Sequence, residues 1–193
     1  TFLSKSVLVA GLIVLSSPFI SCDNNEIKKE KETIILANTD TAINEEVKIE
    51  TKSREPIVFI AGFDKGSETF YADARNYFKE KGLKVIDGQY SLEEIIVWMN
   101  NHANVNPYGE VHIVNKSNPY KGMNLETVVR GDKITSETLR RSITQGTLPS
   151  LKNVVNNNTK IVFHASGLVE DKELLKTLKD AFSAQSLPKV IAS

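Results

Sequence analysis

The chain has 193 residues with 24 basic and 24 acidic side chains, a formal net charge of zero, 40 % hydrophobic residues and 7 % aromatic ones. Balanced charge excludes the basic footprint of a generic nucleic-acid binder, and the length suits one globular domain plus a tail. Cys22 is the single cysteine, so no intramolecular disulfide can form.

Lys5 precedes an apolar run from Val7 to Ile20, and Ser21 places a small residue before Cys22. The run is too short to span a bilayer and is followed at once by polar residues. It therefore reads as a secretory signal peptide over residues 1–21. A cysteine at that point resembles the lipid-accepting residue of bacterial lipoproteins, although Phe19 stands where their pattern has leucine. The resemblance implies lipidation of Cys22, a membrane anchor without a spanning helix, and a place in the bacterial cell envelope. An ordinary signal peptide with an incidental cysteine, or an uncleaved anchor, is the competing reading. The start at Thr1 and the stop at Ser193 after an apparent strand suggest a fragment at both ends.

Residues 22–55 read as a charged tether, with Lys28-Lys29-Glu30-Lys31-Glu32 and no glycine or aromatic residue. Composition changes at Pro56, where an α/β domain over 56–193 begins. Ile57 to Ala61 is a continuous apolar run that suits a strand buried on both faces. Ser67 caps a helix with Phe70, Ala74, Tyr77 and Phe78 on one face, closed by Gly82. Leu83 to Ile86 is a second strand. Ser91 to Glu94 is a capping box opening a helix whose stripe is Leu92, Ile95, Ile96 and Met99. Val111 to Val114 is a third strand, and Met123 to Val129 with the Arg130-Gly131-Asp132 turn reads as a small hairpin. Those three residues match an integrin-binding tripeptide, which recurs easily by chance. A helix over Ser136 to Gln145 precedes a fourth strand, Lys160 to Ala165. Leu174, Leu178, Ala181 and Phe182 mark another amphipathic helix before a fifth strand, Lys189 to Ala192. Alternating strands and helices predict a doubly wound, mainly parallel sheet of about five strands with helices on both faces.

Ligands in such sheets bind outside the carboxyl ends of the strands. The candidates there are Asp64 and Lys65, Asn115 to Ser117, and Ala165 to Gly167. Asp64 and Lys65 fit a cleft and a solvated turn equally well. No Gly-x-Ser-x-Gly elbow, Gly-x-Gly-x-x-Gly turn or P-loop is present. His102, His112 and His164 lack metal-ligand spacing, so neither a metal nor a cofactor is expected. His112 and His164 read as strand histidines tucked under a helix.

The layout from Pro56 to Ser193 resembles the caspase-like fold of caspases, gingipains and clostripain. The matching segments are Val111-His112-Ile113-Val114-Asn115-Lys116-Ser117 and Ile161-Val162-Phe163-His164-Ala165-Ser166-Gly167. On that pattern Lys116 takes the position of the family's catalytic histidine and Ser166 that of its catalytic cysteine. The resemblance therefore implies a domain without the family's imidazole and thiol, binding a protein or peptide partner in the cleft at the strand ends. The alternative is a hydrolase of peptide or ester bonds, with Ser166 as nucleophile and either a neutral Lys116 or His164 as base. A surface protein with no inherited cleft is a third reading.

Overall fold

The computed structural model describes residues 52–66, 68–183 and 187–193, all within one unit, Val47–Ser193. The signal peptide, Cys22, most of the tether and the proposed cap Ser67 lie outside the described residues. Among those described, no helix is long and apolar enough to cross a membrane.

The central strand β1 (Ile57–Ala61) is buried at all five positions. It needs apolar residues at every position because it pairs on both edges and is covered on both faces. It runs parallel to β2 (Lys84–Gln89) and to β3 (Glu110–Val114). Further along, β6 (Lys160–His164) pairs with β3, and β7 (Lys189–Ala192) pairs with β6, again in parallel. The sheet order is β2-β1-β3-β6-β7, an α/β architecture of the doubly wound kind. Between β3 and β6 lies a two-stranded antiparallel ribbon of β4 (Ser117–Asn118) and β5 (Gly122–Met123).

The order reverses once, at β1. A right-handed crossover from β1 to β2 must therefore use one face, and the crossovers that step the other way must use the opposite face. Packing follows this rule. Helix α1 (Thr69–Glu80) places Tyr71 and Phe78 on Val58, Ile60 and Val114. Helices α2 (Leu92–Asn101), α3 (Ser136–Thr144) and α4 (Lys172–Ala181) contribute to the larger core, which holds Ile57, Phe59, Ile113, Ile161 and Phe163.

The α2 start is the expected capping box. The Ser91 hydroxyl accepts from the Glu94 N–H at 3.1 Å and the Glu94 carboxylate accepts from the Ser91 N–H at 2.9 Å. All four residues of the expected stripe are fully buried. Helix α4 begins on Asp171, which accepts from the Leu174 N–H at 2.9 Å.

Four features differ from the sequence reading or lie outside it. In α1 Phe78 is buried and Phe70 and Ala74 pack against the same cluster as expected, but Tyr77 is 56 % exposed and Tyr71 takes the fully buried place. Folding also reaches upstream of Pro56, because the Arg54 N–H donates to Pro107 O at 2.9 Å and its guanidinium lies 3.6 Å from the Tyr108 ring centre. The antiparallel ribbon starts before the expected hairpin, at Ser117, and Met123, Leu125 and Thr127 then exchange backbone bonds with Asp132 and Ile134 across a turn at Val128–Gly131. The segment after α3, which gave no sequence signal, buries Leu148, Leu151, Val154 and Val155 in the main core.

Candidate functional site

Two groups of side chains stand out, one at the carboxyl rim of the sheet and one on the face covered by α1. The rim is tied together by polar bonds. Asp64 accepts from the Tyr71 hydroxyl at 2.6 Å and from Asn124 Nδ2 at 2.6 Å, and the Tyr71 oxygen accepts from the Lys116 N–H at 3.0 Å. Burial, reinforced by Asp64, pushes the Tyr71 phenol well above its usual range, so it remains a donor. Asn115 is fully buried and donates to Ala61 O at 2.8 Å and Asn124 O at 3.1 Å. Lys65 is not in a solvated turn. It is 7 % exposed, donates to Gly62 O at 3.1 Å and Gln89 O at 3.3 Å, and lies 3.1 Å from the centre of the Tyr90 ring. Two strand-end carbonyls and an aromatic face replace its water.

Lys116 and Ser166 each lie two residues beyond the paired ends Val114 and His164, at the same end of adjacent strands. No hydrogen bond joins their side chains among the described residues. The Lys116 ammonium pairs with Glu68 Oε2 at 2.9 Å, an arrangement suited to a charged cation and not to a general base. Ser166 is exposed in the turn after β6, and its side chain makes no hydrogen bond among the described residues.

His164, the alternative base, has both ring nitrogens engaged by residues other than Ser166. In the β3–β6 register His112 pairs with Val162 and Val114 with His164. Alternation along each strand puts both histidines on the α1 face, diagonal to one another. There His112 Nδ1 lies 3.0 Å from His164 Nε2, and Phe78 of α1 packs against both rings at 5.1 and 5.4 Å. The Ser193 N–H donates to Phe163 O at 2.9 Å, extending the β6–β7 ladder by one residue and setting Ser193 beside His164. Its hydroxyl lies 2.9 Å from His164 Nδ1. At the other end, Glu110 Oε1 is 4.0 Å from His112 Nε2. Burial lowers both imidazoles below the usual histidine range, and His112 lowers His164 further, while Glu110 opposes the shift in each. Neutral rings permit two proton patterns of opposite direction, and Glu110 at 4.0 Å from His112 Nε2 favours the one that places a proton on that nitrogen. His112 carries its proton on Nε2 toward Glu110, His164 donates from Nε2 to His112 Nδ1, and His164 Nδ1 accepts from Ser193.

A groove of about 460 Å³ opens beside this chain, lined by Phe70, Ala74, Tyr77 and Phe78 of α1, by Val114 and His164 of the sheet, and by Asp73. Apolar walls with a neutral imidazole among them are the makings of a small-ligand or peptide-side-chain site. No group of three or more His, Cys, Asp or Glu residues able to hold a metal occurs among the described residues.

The histidine pair escaped the sequence reading, which took each ring singly. The signal was nevertheless present. Ile113 and Phe163 face the larger core, so His112 and His164 share the other face once β3 and β6 are neighbours. Comparison with known families, curated proteins and solved structures finds no match to this chain.

Proposed function

We propose that this chain is a cell-envelope lipoprotein, anchored through Cys22, whose caspase-like domain binds a protein or peptide partner without peptidase chemistry at Lys116 and Ser166. The observation that carries this reading is the 2.9 Å ion pair of Lys116 with Glu68. It ties up the residue at the family's histidine position and leaves the Ser166 hydroxyl without a base. A serine hydroxyl with no adjacent base is a poor nucleophile at neutral pH.

Two measurements test it. Growth with an alkynyl fatty acid should label the wild-type chain and not Cys22→Ser, and absence of wild-type label overturns the anchor. A fluorophosphonate probe, mapped by peptide mass spectrometry, should leave Ser166 unmodified, and stoichiometric labelling there overturns the binding-module reading.

The second reading is hydrolysis of peptide or ester bonds with His164 as base. One observation favours it: His164 Nδ1 already holds a serine hydroxyl at 2.9 Å, that of Ser193.

A further inference from the structure

Neighbouring strands bring together a row of four side chains, Glu110 and His112 of β3, His164 of β6 and Ser193 just beyond β7. A nucleophile within hydrogen-bond reach of a base, with that base held by a third group, is the arrangement that activates hydroxyls for acyl transfer. Here the distances are 2.9 Å from Ser193 Oγ to His164 Nδ1 and 3.0 Å from His164 Nε2 to His112 Nδ1. Phe78 packs against both rings, so their orientation is fixed by packing as well as by the bond between them. His164 also lines the apolar groove, so the base borders a pocket for an apolar group.

We propose that Ser193 is an acyl-accepting nucleophile served by His164 as general base and by His112 as positioning residue, acting on esters whose apolar acyl chain seats between α1 and β6. This rests on the hydrolase reading with His164 as base, and it replaces Ser166 by Ser193 as the nucleophile.

The step balances without a cofactor. The Ser193 Oγ lone pair forms a bond to the ester carbonyl carbon, the carbonyl π pair moves to oxygen, and the hydroxyl proton passes to His164 Nδ1. Collapse breaks the carbon–alkoxide bond, and His164 returns that proton to the departing alcohol. Water then attacks the acyl-serine, again giving its proton to His164, and collapse frees the carboxylic acid and restores Ser193. His112 accepts from His164 Nε2 throughout, which keeps Nδ1 free to take the proton.

The third member is an imidazole and not a carboxylate, so it stabilises the transient imidazolium less than a full negative charge would. Glu110 stands at 4.0 Å from the far nitrogen, too distant for a hydrogen bond. Such a chain suits esters with good leaving alcohols better than amides. Asp73 in the groove lining disfavours an anionic acyl chain, which leaves uncharged chains as the matching class.

The test uses the full chain with p-nitrophenyl butyrate and a fluorophosphonate probe mapped by mass spectrometry. The expected result is label on Ser193, no label or turnover in Ser193→Ala, and a loss of about 100-fold or more in His164→Gln. Ser193 is exposed, so its alanine variant keeps the fold. His112→Asn, whose side-chain oxygen can replace the accepting nitrogen, should retain most of the rate that His112→Leu loses. Ala74→Leu should slow butyrate hydrolysis more than acetate hydrolysis. Label on Ser166 would overturn this inference and leave the hydrolase reading standing, whereas no label on any serine would overturn both. Equal rates in the asparagine and leucine variants would remove His112 from the scheme.

Discussion

Lowering the pH from 7.5 to 5.5 should destabilise the fold through His112 and His164. Burial holds both rings below their ordinary range in the folded state. An unfolded chain has no such restraint and binds protons as pH falls through about 6.5. The stabilisation is therefore fully present above that value and is lost as pH falls toward the folded-state values. Each ring that stays neutral in the fold costs about 1.4 kcal/mol at one unit below the unfolded pKa, so two set a ceiling of about 2.8 kcal/mol at pH 5.5. The His112 side chain retains 13 % exposure and His164 is half-buried, and solvent reduces the effect. Halving the ceiling gives about 1.4 kcal/mol, or a urea midpoint lowered by about 0.7 M at a slope of about 2 kcal/mol/M. Urea unfolding at pH 7.5, 6.5 and 5.5 measures this directly. The double variant His112→Asn/His164→Gln should show a flatter profile, and carboxylates titrating in the same window appear equally in both proteins. A variant whose midpoint falls as steeply as the wild type's would refute the assignment to these rings.

Other perturbations follow from the rim and the ribbon. Tyr71→Phe removes a 2.6 Å bond to Asp64 and the acceptor of the Lys116 N–H, and should cost about 2–3 kcal/mol in urea unfolding. A loss below about 0.5 kcal/mol would mean that water replaces the phenol at no cost. Gly122 has φ +73°, and an added Cβ would lie 2.0 Å from Ile134 O, so Gly122→Ala should lose about 3 kcal/mol or more, read as a fall in Tm. An unchanged Tm would refute the close approach. Lys116→Ala breaks an ion pair whose side chains are 38 % and 43 % exposed, so its cost after screening should stay below about 1 kcal/mol. A larger loss would assign Lys116 a structural role that this pair does not provide.

Strands, helices and the direction of most side chains were legible because each obeys a local rule. The all-apolar Ile57–Ala61 run marked a strand covered twice, and Ser91 with Glu94 marked a helix start to the residue. Residues whose partners come from distant segments were harder to read. Lys65 stood open between a cleft and a solvated turn because nothing nearby in sequence announces Gln89 O or the Tyr90 ring. Tyr71 was passed over for Tyr77, since both fit a helical stripe and the choice is made by the Asp64 and Lys116 groups that it bridges. Val154 and Val155 sit in a stretch rich in asparagine, yet they are drawn into the core by the backbone bond from Tyr108 N–H to Val154 O. The partners of His112 and His164 depended on strand register, which a single sequence does not state.

The order of strands in the sheet is almost the order of their synthesis. Once β1 and β2 have paired, β3, β6 and β7 are each added to the same growing edge, so every new βα unit meets a surface already built. Such accretion lets the chain fold progressively while it is being made, and spares it a search among distant segments. It also gives the molecule an assembly clock. His112 arrives with β3, His164 with β6 and Ser193 only after β7, so their row of side chains cannot exist until β7 has docked.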